Sequence, residues 1–307
     1  MKGSVLLTAA ICALPLVGVV ELALHVKQTT SDVVPDTDWI AARDAVKAEI
    51  AADDLVVFAP FWADPIGRKW FGDELAGLER EARPDETRFR RAFEVGIRGA
   101  HREELAGWKK VSERQAGKIT IGVYENPSPV KVLTDLVELV GPERMTVSRV
   151  DGNVETACAW QRGQGQPGGL GVPQGPAIPG DRFVCPGGSY VGVAVLHALD
   201  HHPHRCFFAG PSGGALRIRF ANVSFGASLH GHAGVQWLVE RAPSSERITV
   251  SFSAFDRPIG ASTHKVGVGW TGFELPTGDI AGKKGELVAE ISGSAQRAYC
   301  FEADTRE

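Results

Sequence analysis

Two short stretches carry residue types that could hold a ligand. The first is 60-PFWADPIGRKWFGD-73, with Trp62, Trp70, Asp64, Asp73, Arg68 and Lys69 within fourteen residues. Aromatic faces beside carboxylates and a guanidinium suit a sugar ring, which offers CH groups for stacking and hydroxyls for bidentate polar contacts. The second runs from Thr263 to Glu274. There Gly267, Gly269 and Gly272 surround Trp270, with His264 and Lys265 close by to supply hydrogen bonds. The expected ligand contacts are therefore Trp62, Asp64, Arg68, Asp73, His264 and Trp270. Against this stand structural roles. Trp62 and Trp70 could cover a sheet edge, Asp64 or Asp73 could cap a helix, and Trp270 could begin a strand and pack inside.

Other patterns carry less. 210-GPSGG-214 fits G-x-S-x-G around Ser212, but the following 215-ALRIRF-220 alternates like a strand, so a hairpin replaces the nucleophile elbow. 267-GVGWTG-272 and 163-GQGQPG-168 fit G-x-G-x-x-G without a strand before and a helix after, so no dinucleotide cofactor is implied. His197, His201, His202 and His204 cluster before Cys206, and His230 and His232 share one face if extended. No acid or cysteine sits at a spacing that forces a metal centre, and no metal, cofactor or catalytic residue is expected.

Four cysteines, Cys158, Cys185, Cys206 and Cys300, fall in the second half of the chain and allow three pairings. If the first and last strands of a sandwich lie side by side, Cys206 meets Cys300, and Cys158–Cys185 closes the glycine-rich loop. Free thiols and a structural zinc are the alternatives; without a C-x2-C pair, zinc is the weaker of them.

The elements that must position these groups follow from composition. The chain has 307 residues and a net charge of −4, which excludes a basic nucleic-acid footprint. Residues 5–26, VLLTAAICALPLVGVVELALHV, would make roughly 33 Å of helix against a hydrocarbon core of about 30 Å. Residues 1–30 are thus expected to form a transmembrane signal anchor, with the short N-tail inside and the bulk of the chain outside, in the inner (cytoplasmic) membrane. A cleaved signal peptide or a buried helix would be the alternatives. Of 36 glycines, 25 lie after residue 150, which separates a charged, helix-rich part from a part of turns and strands.

Residues 36–150 are expected to form a small three-layer α/β domain. Asp38 would cap a helix over 39–52, and strands would lie at 55–60, 92–99 and 118–127. Residues 151–307 are expected to form an antiparallel β-sandwich, jelly-roll-like. Its strands alternate, as in Leu216, Ile218 and Phe220 against Arg217 and Arg219. A Gly/Pro/Gln stretch at 161–180 reads as an exposed loop.

Residues 53–73, 92–100 and 117–127 together resemble soluble extracytoplasmic portions attached to multi-span membrane glycosyltransferases that use lipid-phosphate sugars. Residues 258–278 and 286–306 are similar to galactose-binding-like jelly-roll modules of bacterial envelope proteins. The resemblance implies an accessory or sugar-recognition role and transfers no catalytic residue, because the chain lacks the many spans that carry transferase chemistry. The expected function is non-catalytic binding of a glycan or an envelope partner. The alternative is a hydrolase or transferase in which Asp64, Asp73 and Arg68 supply acid–base and anion-holding groups.

Overall fold

Two hydrophobic cores form from two sets of residues. The computed structural model describes residues 15, 17–27, 33–165, 178–199, 202–210, 214–242, 245–293 and 299–307. Residues 17–27 are helical. Among the described residues no helix is long and apolar enough to cross a membrane. Residues 5–14 and 16 of the expected span lie outside the described residues, as do Ser212, His201 and most of the 161–180 loop.

The chain divides into one unit of Met1–Ala76 with Arg91–Glu125 and a second of Gly77–Arg90 with Asn126–Glu307. The division differs from a cut at residue 150. Residues 126–150 belong with the sandwich, and so does the excursion 77–90.

The first unit is a four-stranded sheet in the order β1 (Leu55–Ala59), β2 (Arg91–Ile97), β4 (Ile119–Glu125), β3 (Lys109–Ala116). β1 and β2 are parallel, and the other pairs are antiparallel. Helices α1 (Asp36–Lys47) and α2 (Asp64–Ala76) share one core with a single sheet face. Trp39, Val46, Phe71 and Leu75 meet Val56, Phe58, Phe93 and Ile121 there. The unit therefore has two layers of α and β, not three. Pro35 precedes α1, and Asp38 lies inside its first turn, where it accepts from the Lys118 N–H at 2.8 Å. Gly67 brings α2 against the sheet, since a Cβ at that position would run into the Phe58 ring.

The second unit is a β-sandwich of antiparallel sheets. One sheet runs β16 (Thr271–Pro276), β13 (Ser228–Val235), β18 (Tyr299–Arg306), β11 (Pro203–Gly210), β10 (Tyr190–His197), β9 (Arg182–Val184), β8 (Ala159–Gln161), with β5 (Val132–Asp135) also on β18. The other runs β15 (Arg257–Lys265), β14 (Arg247–Ala254), β17 (Lys284–Gly293), β12 (Ala215–Ser224), β6 (Met145–Asp151), β7 (Val154–Ala157). Their inner faces meet through Phe207–Phe220 at 5.2 Å and Phe252–Phe301 at 6.1 Å between ring centroids. Alternation along β12 buries Leu216, Ile218 and Phe220. It turns Arg217 and Arg219 outward, where both pair with Glu155.

Two disulfides brace this unit. Cys206–Cys300 joins β11 to β18, and Cys158–Cys185 closes the loop carrying the glycine-rich stretch.

Candidate ligand-binding site

The sandwich site arises where one strand changes partners. β18 pairs with β11 through Tyr299, Cys300 and Phe301, and with β5 from Asp304 onward. Glu302 falls between these partners, so the sheet splits at its side chain. Period-two alternation sends Phe301 and Ala303 into the core and Cys300, Glu302, Asp304 and Arg306 to the outer face. The excursion 77–90 covers this face and is tied down by the Arg205 N–H donating to the Ala82 carbonyl at 2.9 Å.

A cavity of about 160 Å³ remains beneath it. Four guanidiniums line it, from Arg80, Arg83, Arg88 and Arg205, together with four carboxyls, from Glu79, Asp135, Glu138 and Glu302. The two charge types are interleaved. Arg88 Nη1 lies 3.1 Å from Asp135 Oδ2, Arg205 pairs with Glu138, and Arg83 Nη2 lies 2.7 Å from Glu86 Oε1.

Glu302 is the floor of this cavity and is 3% exposed. Its Oε1 is 2.6 Å from His232 Nδ1 on the neighbouring β13. Burial pushes the Glu302 carboxyl up to about 7; the His232 bond opposes this, and nearby Asp304 and Asp135 add to it. Burial works to lower His232, but the bond to Glu302 and its charge outweigh that, and the imidazole is raised. Burial also raises Asp135, against the pull of Arg88. Farther along β18, Arg306 holds Asp304 at 2.5 Å and Asp85 at 2.8 Å. His230 lies 3.8 Å from Asp85, and burial together with Arg306 and His232 lowers it.

The residues singled out from sequence do not converge. Segment 60–73 is a short 3-10 turn followed by α2, not a loop. Asp64 opens α2 and lies 3.5 Å from Arg102, while Asp73 follows a break at Gly72. Arg68 donates from Nε to the Ala76 carbonyl at 3.1 Å and so completes the end of α2. Trp62 is 47% exposed under the Arg98 guanidinium, and Trp70 packs against the helix-side core.

His264 is sealed, with Nε2 2.6 Å from Glu240 Oε1 on α3 (Trp237–Glu240), and neither side chain is exposed. Trp270 lies flat over β13, where Gly234 leaves it room. It stacks on His204 at 4.3 Å beside the Cys206–Cys300 cluster, so its faces are spent on packing. Among the described histidines, His204 and His232 approach Trp270, and His232 joins Glu302. No group of histidines, cysteines and acids suited to a metal occurs among the described residues.

Sequence reading missed Glu302, Asp135, Arg83, Arg88 and Arg205. The available signal was 302-EADTR-306, with charge at every second position of a strand, a pattern that ordinarily marks a solvated face.

No family model matches the chain, and no curated protein matches it. Among solved structures it is similar to three carbohydrate-binding proteins. The module TmCBM61 in complex with β-1,4-galactotriose is 11% identical over 38% of this chain and 71% of that one, with a TM-score of 0.23. The mannan-recognising module TmCBM27 is 10% identical over 38% of this chain and 82% of that one, with a TM-score of 0.25. The CBM51-2 and INT domains of ZmpB from Clostridium perfringens are 9% identical over 58% of this chain and 40% of that one, with a TM-score of 0.28.

Proposed function

We propose that the chain is an extracytoplasmic binding protein whose jelly-roll-like sandwich recognises a glycan in the cavity above Glu302. The observation that carries this reading is the alternation of guanidiniums and carboxyls around one small cavity. A sugar hydroxyl donates and accepts at once, so a ring of hydroxyls calls for both kinds of partner side by side. A cavity of about 160 Å³ is smaller than the roughly 300–1,000 Å³ of drug-sized sites and suits one ring of a glycan, not several. Two disulfides favour an oxidising compartment. With that compartment goes anchorage of the chain in the inner membrane through residues 1–30.

The test is a glycan array probed with the full chain in detergent, alongside the Arg88→Ala/Arg205→Ala variant. The expected result is selective retention by a subset of glycans, lost in the variant at an unchanged melting temperature. Retention that the variant preserves would remove the cavity from consideration.

One observation favours a second reading, hydrolysis. A carboxyl pushed up to about 7 is poised as a general acid near neutrality, and Asp135 lines the same cavity. Incubating retained glycans with the chain and analysing them by mass spectrometry separates the two readings, because binding alone leaves the glycan intact.

A further inference from the structure

A second cavity lies wholly within the first unit, on the sheet face turned away from α1 and α2. Alternation sends Phe93, Val95, Ile121 and Val123 to the helix-side core, which leaves Glu94, Gly122 and Tyr124 on the other face. Glu94 pairs across the strands with Gly122. A Cβ at Gly122 would meet Tyr124 Cε2 at 2.7 Å, so the glycine is what lets that ring lie back along the sheet. The segment after β2 folds beside this face and leaves an open depression of about 360 Å³, lined among others by Glu94, His101, Leu105, Trp108, Lys110 and Tyr124. That volume falls in the range of small-molecule sites.

Glu94 is 3% exposed and spends its oxygens on orientation. It accepts from the Arg102 N–H at 2.6 Å and from the Tyr124 hydroxyl at 3.0 Å, and it lies 2.9 Å from His101 Nδ1. Burial, then the charge of Glu94, pushes the Tyr124 hydroxyl up to about 12, so it stays a donor. With Nδ1 held against Glu94, His101 leaves Nε2 for a ligand, and its side chain is 59% exposed. A buried carboxyl is costly, and here it aims one imidazole from a loop into a cavity with aromatic walls.

We propose that this cavity is a second ligand site, specific for a single pyranose ring. Its ligand must form a hydrogen bond with His101 Nε2, accept one from the Lys110 ammonium that Glu113 holds in place, and lay an apolar face against Trp108. A pyranose meets all three demands. A flat aromatic carboxylate does not, because it would bring a further carboxylate up to Glu94 and Glu113. The site shares no residue with the sandwich cavity, so the chain carries one sugar site in each unit.

The full chain in detergent is titrated with glucose, galactose, mannose and N-acetylglucosamine, and in a parallel arm with benzoate. Binding is followed by calorimetry and by saturation-transfer NMR. At least one sugar is expected to bind in the millimolar range. Trp108→Ala is expected to weaken it tenfold or more, and Lys110→Ala, at an exposed position, by about threefold, with the melting temperature held. His101→Gln, which keeps an acceptor, should retain more affinity than His101→Ala. The Arg88→Ala/Arg205→Ala variant should leave this binding unchanged, so failure of the sandwich reading and failure of this one are separable. Absence of binding by all four sugars overturns the proposal. So does sugar binding that survives both Trp108→Ala and Lys110→Ala, or benzoate displacing the sugars from the cavity.

Discussion

Replacing Glu302 with glutamine should change how the stability of the sandwich depends on pH. The rise of this carboxyl from 4.5 to about 7 means that, between those values, the folded chain holds a proton the unfolded chain has released. Stability contributed by such a group is fully present below pH 4.5 and falls as pH rises toward 7. At about 1.4 kcal/mol per pKa unit, the whole effect is at most roughly 3 kcal/mol. Glutamine retains an oxygen for His232 Nδ1 at much the same place and cannot ionise. At pH 5, where the folded parent holds this proton and its carboxyl is neutral, the variant should be about as stable as the parent. By pH 8 it should be as stable or more so. Urea unfolding followed by tryptophan fluorescence at half-unit steps from pH 4.5 to 8.5 gives both curves. Their difference should tilt by 1–3 kcal/mol across the window, as expected for about one proton. Parallel curves would mean that Glu302 ionises normally and would take the buried dyad out of the site.

Further outcomes follow from other contacts. Loss of Cys206–Cys300, which spans 94 residues, should cost about 4–5 kcal/mol on loop entropy, and loss of Cys158–Cys185, which spans 27, about 3–4 kcal/mol; urea midpoints of Cys206→Ala/Cys300→Ala and Cys158→Ala/Cys185→Ala check the order. Glu240→Ala strands a fully buried His264 and the Gly267 N–H, and calorimetry should show destabilisation of roughly 3–5 kcal/mol. Gly67→Ala should overpack α2 on Phe58 and cost about 1–3 kcal/mol, read from thermal unfolding. Trp270→Ala should lower stability by up to about 3 kcal/mol, because its ring packs on His204 and the Cys206–Cys300 cluster.

The legible parts of the fold are those where one face of a strand is apolar. β1, β2, β4, β12 and β14 each announce themselves in this way. β3, Lys109–Ala116, carries almost no buried side chain, and as a polar edge strand it left no apolar pattern to read. β15, Arg257–Lys265, is likewise an edge strand and buries little besides His264. In segment 235–241, Val235, Trp237 and Val239 alternate as in a strand, yet Trp237–Glu240 forms one helical turn that delivers Glu240 to His264. The two disulfides were legible because four cysteines in one sandwich leave few pairings. The cavity above Glu302 was not, since it depends on β18, β11, β5 and residues 77–90 meeting. Sequence distance between those segments hides that meeting, and charged residues on strands normally face water.

The position of β18 sets a schedule for assembly. It lies between β13 and β11, so without it the eight-stranded sheet falls into two fragments with open edges. Those edges stay unpaired while a chain emerging from its N-terminus still lacks its ninety-fourth residue beyond Cys206, the partner for that thiol. A growing chain therefore holds exposed strand edges and an unpaired Cys206 until β18 arrives, which leaves this unit open to mispairing while it is being made. The ligand cavity is completed in the same step, because Glu302 belongs to the strand that closes the sheet.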